Sequence, residues 1–433
     1  MKVSGVITEY NPFHNGHKYQ LDKIREENHA DYIIVAMSGN FVQRGTPAFI
    51  DKYTRAEMAL NCGADLILEI PVLGATASAE GFARAGVLTL ASTGILSTLC
   101  YGVEKKSGLL SELAAFLLSP CEEFNDTITS CIKSGDSFPA ARAKAVSRCF
   151  PDVSNELIQN MLSTPNNILA IEYEKALKGT GIAGHQIERV GEGYHSVSLS
   201  SNFASASAIR AAAAGGCPAS EISKYMPDKA YEVLLSRTKA LSGSNRKTAC
   251  VLPDDLSQLL LYKLLSFSVS GRNDAFCDFS DCTEELSAKI ANNIYNYRSF
   301  SQFCDLLKSK NYTHTRISRV LTHILLDIKK SDADAFARLL SAPQTAPYLR
   351  VLGFKKSSSQ LLHEIKEKAS APLITKVADA SSLMTSSSYE TFKKDIFASD
   401  IYRSLLYSKL SETEARQFGS SPNEYTQQLV IVP

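Results

Sequence analysis

The stretch ITEYNPFHNGHKYQ, from Ile7 to Gln20, constrains the fold more than any other part of the chain. An apolar run from Val3 to Ile7 leads into the turn residues Asn11 and Pro12, and then into His14 and His17 with Asn15 and Gly16 between them. Tyr19, Leu21 and Ile24 continue at the 3.6-residue spacing of a helix, and Asn15 is placed to cap its first turn. The order strand, tight turn, helix start puts two imidazoles and a close-approach glycine at a helix N-terminus, where phosphate is favoured. Nucleotide chemistry is the first expectation.

The next segments repeat the alternation. Asp31 to Met37 reads as a strand buried on both faces. Ser38 to Pro47 follows as a polar loop, Asp51 to Cys62 as a helix, and Asp65 to Ile70 as a strand stopped by Pro71. A small-residue helix from Ser78 to Ala91 and a strand from Gly94 to Tyr101 complete the pattern. This is the signature of a doubly wound α/β parallel sheet, whose ligands lie off the carboxyl ends of its strands. The first turn, the Ser38 to Pro47 loop and Gly102 are therefore expected on one rim.

Leu109 to Arg148 is helical in pattern, Pro165 starts another helix after Ser163, and Gln186 to Val190 reads as a short strand. Gly191 to Ser201 reads as a loop, and FASASAIR, Phe203 to Arg210, opens a helix. From about Pro218 strand signals become sparse. Leu256 to Ser268, Glu284 to Tyr297, Phe300 to Lys308 and Ile317 to Ile328 carry helical periodicity, with loops at Leu241 to Lys247 and Ser381 to Ser388. At 433 residues, two domains are expected: a catalytic α/β unit over 1–217 and a mostly helical unit over 218–433.

Composition narrows the function classes. The 46 basic and 45 acidic side chains balance, so nucleic-acid binding requires a local patch. Ten cysteines without a C-x-x-C pair read as buried thiols of a reducing cytoplasm; Cys277 and Cys282, with four residues between them, are a poor start for a metal site. The N-terminus lacks signal architecture and the apolar runs are too short for a bilayer. A cytoplasmic protein without membrane or DNA partners is expected.

Two imidazoles on the first turn of a helix can donate to the oxygens of an α-phosphate during in-line attack. The bland alternative is a capping pair or two unrelated surface histidines; zinc is disfavoured because no third ligand lies near in sequence. Arg44 in SGNFVQRG suits an anion, or is a solvated arginine. Ser205 and Ser207 in SASAIR, with Arg210, suit terminal phosphates, although Ser-x-Ser before a helix is also an ordinary N-cap. From Lys289 to Val320, Lys289, Arg298, Lys308, Lys310, Arg316 and Arg319 face a single acid, Asp305, with Tyr295, Tyr297 and Tyr312 interleaved. That combination suits RNA phosphates and bases; a solvated helix face with core tyrosines is its plain counterpart.

In order along the chain, GVITEYNPFHNGHKYQL, MSGNFVQRG, DKYTRAEMAL, GADLILEIP, the Ser78-Ala79-Glu80 step, TPNNILAIEY and FASASAIR resemble the bacterial tRNA(Met) cytidine acetate ligase family of the HIGH-type nucleotidyltransferase superfamily. KSKNYTHTRISRVLTHILL and YLRVLGF extend the resemblance over most of the chain. It implies a Rossmann-like nucleotidyltransferase domain followed by helices. It further implies an enzyme that uses ATP with Mg²⁺ to activate acetate as acetyl-adenylate and passes the acetyl group to N4 of the wobble cytidine of elongator tRNA(Met).

The resemblance carries the nucleotide site onto Ile7, Thr8, Glu9, Tyr10, Asn11, Pro12, Phe13, His14, Asn15, Gly16, His17, Lys18, Tyr19 and Gln20. Gly102, one or both of Asn166 and Asn167, and Arg189 complete it, with Ser205 and Ser207 beside the phosphates. His14 and His17 take the catalytic role, and Arg44, Arg316 and Arg319 are the expected substrate contacts; no protein metal ligands are expected. The sequence departs from the family at Ser207, where threonine is expected, and at Tyr101, where phenylalanine is common. A ligase or adenylyltransferase acting on a small metabolite, and a nucleotide-sensing RNA-binding protein without catalysis, are the competing readings.

Overall fold

The computed structural model describes residues 1–190, 204–217, 219–242, 250–269, 271–341, 344–410 and 423–433. The expected loop at Gly191 to Ser201 and most of that at Leu241 to Lys247 lie outside them. Strand β1 (Val3–Thr8) runs into a helix over Asn15–Asn28, and β2 (Tyr32–Ser38) follows. The loop after β2 contains a two-residue hairpin, β3 (Phe41–Val42) and β4 (Thr46–Pro47). β5 (Leu66–Ile70), β6 (Thr98–Val103) and β7 (Ala183–Glu188) follow, and then β8 (Leu349–Lys355), β9 (Leu373–Ile374) and β10 (Val430–Val432).

The main sheet has the order β10-β8-β5-β2-β1-β6-β7, with β9 beside β8. Every pairing in it is parallel except β5 with β8. β1 is central: the chain winds outward through β2 and β5 on one side and through β6 and β7 on the other. The switch in direction therefore falls between β1 and β6, and a crevice opens off their carboxyl ends. Both faces are buried. Ile34, Ala36, Leu66 and Leu68 point into one core, and Ile33, Val35, Met37 and Ile67 into the other.

The doubly wound parallel sheet matches the expectation, and several local readings are corrected. Three strands of the C-terminal half join the sheet, so residue 217 is not the limit of the α/β layer. β8 escapes the apolar-run pattern because Arg350 interrupts it; the guanidinium is buried between Glu69 and Glu424. β9 and β10 are too short to carry a pattern. The strand expected at Gly94 begins later, at Thr98, because Gly94 is a left-handed turn (φ +70°). Ser381 to Ser388 is not a loop: helices span Ala380–Leu383 and Ser386–Tyr407, the second capped by Thr385.

The cysteines are all free, but only Cys62, Cys100, Cys282 and Cys304 are buried, and Cys121 is exposed. No helix among the described residues is long and apolar enough to cross a membrane.

A candidate nucleotide cleft at the sheet switch point

The turn after β1 is built around a buried aromatic pair. Tyr10 adopts a left-handed φ of +46°, and Tyr10 and Phe13 are buried edge to face at 4.8 Å. Asn11 Oδ1 accepts from the Phe49 amide at 2.7 Å, and the Asn11 carbonyl accepts from the Arg210 guanidinium at 2.6 Å. Arg55, fully buried, donates to the carbonyls of Glu9, Ser38, Gly39 and Ile50, tying the turn to the loop after β2. That latch escapes sequence reading, because nothing in DKYTRAEMAL shows which carbonyls its arginine will meet.

His14, not Asn15, caps the helix. Its Nδ1 accepts from the Gly16 amide at 3.0 Å, and its own main-chain N–H donates to His17 Nδ1 at 3.3 Å. The rings stack with centroids 3.7 Å apart. Asn15 instead donates from Nδ2 to the Lys224 carbonyl at 3.0 Å. A Cβ on Gly16 would sit 2.9 Å from His14 Cε1, so the glycine leaves room for the imidazole. Burial, followed by the charges of Arg189 and Arg210, lowers the His14 pKa to about 3; burial and the neighbouring His14 hold His17 well below the ordinary value. Both imidazoles are thus neutral. With Nδ1 accepting, the proton of each resides on Nε2, which has no partner among the described residues. The capping arrangement and the phosphate-donor arrangement are one geometry, because the cap fixes the donor tautomer.

A continuous cleft runs from this pair in two directions. One half is lined by Gly16, Tyr19, Gln20, Tyr101, Gly102, Ile187 and Glu188; the other by Glu9, Tyr10, Asn11, Gln43, Arg44, Ser205, Ser207, Arg210 and Thr315. Ile7, Thr8, His14, His17, Asn166, Leu169, Tyr173 and Arg189 line both. The rim expected from the sequence is thereby assembled. Pro12, Phe13, Asn15 and Lys18 do not line either half; Phe13 is core, and Lys18 is paired with Asp22.

Of the two asparagines, Asn166 lines the cleft. Asn167 is buried in the scaffold, with Oδ1 on the Glu104 amide and Nδ2 on Asn160, both at 3.3 Å. Ser205 caps the Ala206–Ala214 helix, and Ser207 accepts from Arg210 at 3.1 Å. The second half of the cleft therefore gathers hydroxyls, a helix start, Arg210 and Arg44, a set suited to a polyanion. Among the described residues no group of three or more His, Cys, Asp or Glu is arranged to hold a metal ion.

The His314–Leu325 helix lines the cleft with Thr315 and packs on Gly45, which lies between the lining residues Arg44 and Thr46. Ser318 and Thr322 each donate a hydroxyl to the Gly45 carbonyl at 2.7 Å. The basic stretch of the sequence is largely committed. Lys289 donates to the Leu307 carbonyl at 2.6 Å, and Lys310 donates to that of Gly135. Arg319 pairs with Asp281 at 3.1 Å and is only 12% exposed, while Arg316 lies over the Tyr312 ring. Tyr312 is core and Tyr297 is held by the Ser257 carbonyl, whereas Tyr295 is 91% exposed.

A doubly wound sheet carrying a histidine pair at its first strand-to-helix turn defines a nucleotidyltransferase, and the chain belongs to the HIGH Nucleotidyl Transferase family, which matches residues 1–418. Within it, the chain falls in the tRNA(Met) cytidine acetate ligase family. It is 39% identical to the tRNA(Met) cytidine acetate ligase of Thermoanaerobacter sp. (strain X514) over 406 residues, 93% of this chain and 95% of that protein. A relative of the same name from Clostridium perfringens (strain ATCC 13124) is 35% identical over 391 residues, 88% of this chain and 91% of its own. The crystal structure of Thermotoga maritima TmcAL bound with alpha-thio ATP superposes with a TM-score of 0.86 at 29% identity, covering both chains fully. The apo form of that protein gives 0.86 at 30%.

Proposed function

We propose that this cleft carries out an ATP-dependent ligation in two steps. An acetate oxygen attacks the α-phosphorus of ATP, forming acetyl-adenylate and expelling pyrophosphate. The N4 amine of the wobble cytidine of elongator tRNA(Met) then attacks the acyl carbon; the C–O bond to AMP breaks, and N4-acetylcytidine is left. The names of the relatives and the nucleotide in the Thermotoga maritima structure support the substrates.

The observation that carries the reading is the histidine pair. Two neutral Nε2–H donors at the junction of the two cleft halves suit an α-phosphate whose oxygens gain charge in the transition state. Fixed by the helix cap, they need no reorganisation as that charge develops. The half containing Tyr19, Gly102 and Ile187 is the nucleoside side in this reading. The half with Ser205, Ser207, Arg210 and Arg44 takes the phosphates and, beside them, the acetate carboxylate. Glu9, the carboxylate lining that half, would be the residue to hold a Mg²⁺ ion, which when bound would supply positive charge to offset that of the leaving pyrophosphate.

The tRNA side rests on the His314–Leu325 helix, whose Thr315 reaches the cleft wall, and on exposed Tyr295 and Arg298 nearby in sequence. Tyr295 offers a ring for stacking and Arg298 a phosphate contact. A cytoplasmic location accords with a tRNA acceptor. The test is pyrophosphate exchange into ATP by the purified protein. Exchange that depends on acetate, followed by acetyl transfer to tRNA(Met) seen as N4-acetylcytidine, is expected; exchange indifferent to acetate overturns the activation step.

A further inference from the structure

Glu104 immediately follows β6, where the ends of β6, β7 and the Pro165–Leu177 helix converge. Its carboxylate Oε1 accepts from Asn166 Nδ2 at 2.7 Å and lies 3.9 Å from Arg189 Nε. Its own amide donates to Asn167 Oδ1 at 3.3 Å, while the Arg189 amide donates to the Val103 carbonyl at 3.0 Å. Gly102 completes the arrangement: a Cβ there would meet Arg189 Cγ at 3.4 Å, so a larger residue would crowd the guanidinium's stem.

This contact fixes the sense of the Asn166 amide. A carboxylate beside a guanidinium has no proton to donate, so only the NH₂ end of Asn166 can face it. The carbonyl end is left without a partner among the described residues, in a side chain that lines both halves of the cleft. An acceptor held there selects a ligand that brings an O–H or N–H. Its place between the nucleoside half and the phosphate half corresponds to the ribose of a nucleotide, whose 2′ and 3′ hydroxyls are such donors.

We propose that Glu104 is a positioning residue of the nucleotide site, which holds the Asn166 carbonyl toward the ribose hydroxyls and so makes the enzyme discriminate against deoxyribonucleotides. The inference rests on the ATP reading above. In E104Q the amide can offer either an acceptor or an N–H to Asn166, so the sense of that amide is no longer dictated.

The test is calorimetric titration of ATP, 2′-deoxy-ATP and 3′-deoxy-ATP onto the full-length wild type, E104Q, N166A and the double variant, with thermal melting of each. The wild type is expected to prefer ATP over at least one deoxy analogue by about tenfold, the worth of one hydrogen bond. E104Q is expected to lose most of that preference at an unchanged melting temperature, and the double variant to bind no more weakly than N166A. A preference retained in E104Q, additive losses in the double variant, or a wild type that binds ATP and both analogues equally overturns the inference. A wild type that binds no ATP overturns the ATP reading itself.

Discussion

His14 and His17 each turn Nδ1 toward a main-chain amide of one helical turn, at 3.0 and 3.3 Å, so that both rings carry their remaining proton on Nε2. A motif that reads in sequence as two phosphate ligands is first a helix cap. The cap sets the tautomer, burial sets the charge, and together they leave two neutral donors in the crevice. The capping and donor roles can be separated by substitution.

Alanine at either histidine removes cap and donor together. His14→Ala is expected to lower the rate of adenylate formation by about 10² and to cost about 1 kcal/mol of stability. His14→Asn restores a cap acceptor, and most of that stability, without restoring the rate. Single-turnover kinetics beside urea denaturation separate the two; a rate that follows stability across the variants removes the imidazole from the chemistry.

The pH dependence follows from the sign of the His14 shift. Its folded pKa is near 3 and its unfolded value 6.5. Below pH 6.5 the unfolded chain takes up a proton that the folded chain refuses. Stability present above that pH is therefore lost as pH falls toward 3, by about 2 kcal/mol from this group at pH 5. The loss should be smaller in His14→Asn. The rate constant of adenylate formation, measured at saturating substrates, should show no histidine limb near pH 6.5, since both rings are already neutral; a unit-slope rise through that pH would contradict the neutral tautomers.

Gly45 has φ +71°, and a Cβ there would lie 2.3 Å from the Arg319 amide nitrogen. Gly45→Ala is expected to push the His314–Leu325 helix off the loop bearing Arg44, costing about 2 kcal/mol or more. Acetyl transfer to tRNA should fall further than pyrophosphate exchange. Equal losses in the two assays would show a general folding defect instead of a displaced helix.

Lys52, Glu69, Arg350 and Glu424 form a buried ionic cluster that fastens the C-terminal segment to the sheet: Lys52 Nζ lies 2.8 Å from Glu69 and 3.2 Å from Glu424. Burial raises the Glu424 pKa, but the charges of Arg350 and Lys52 outweigh it and hold it at about 2. Glu424 thus stabilises the fold above its unfolded pKa near 4.5, and that contribution is lost as pH falls through 2. Glu424→Gln leaves two cations under-compensated and should cost about 3–5 kcal/mol in chemical denaturation. A change below 1 kcal/mol would mean that the cluster is hydrated in solution.

The RNA reading is tested on Tyr295 and Arg298. Replacing both with alanine is expected to weaken tRNA binding, with a shallower dependence on salt, while pyrophosphate exchange stays unchanged. Unchanged filter binding across a salt series would move the acceptor surface elsewhere.

The sequence by itself determined the alternation of strands and helices around β1, the histidine turn, the rim it shares with the loop after β2, and the family. These are local signals: a buried strand declares itself by a continuous apolar run, and a helix start by its turn residues and periodicity. Only the tertiary structure decided what neighbours in space impose. Asn166 and Asn167 are adjacent in sequence, yet a helix turns by about 100° per residue, so one lines the cleft while the other joins the scaffold. Arg319 looks free in a stretch with one acid until the fold brings Asp281 to it. β10 is a strand of three residues because β8 is beside it, and Glu104 matters because three elements end at the same point. Such pairings depend on contacts distant in sequence, and no local pattern encodes them.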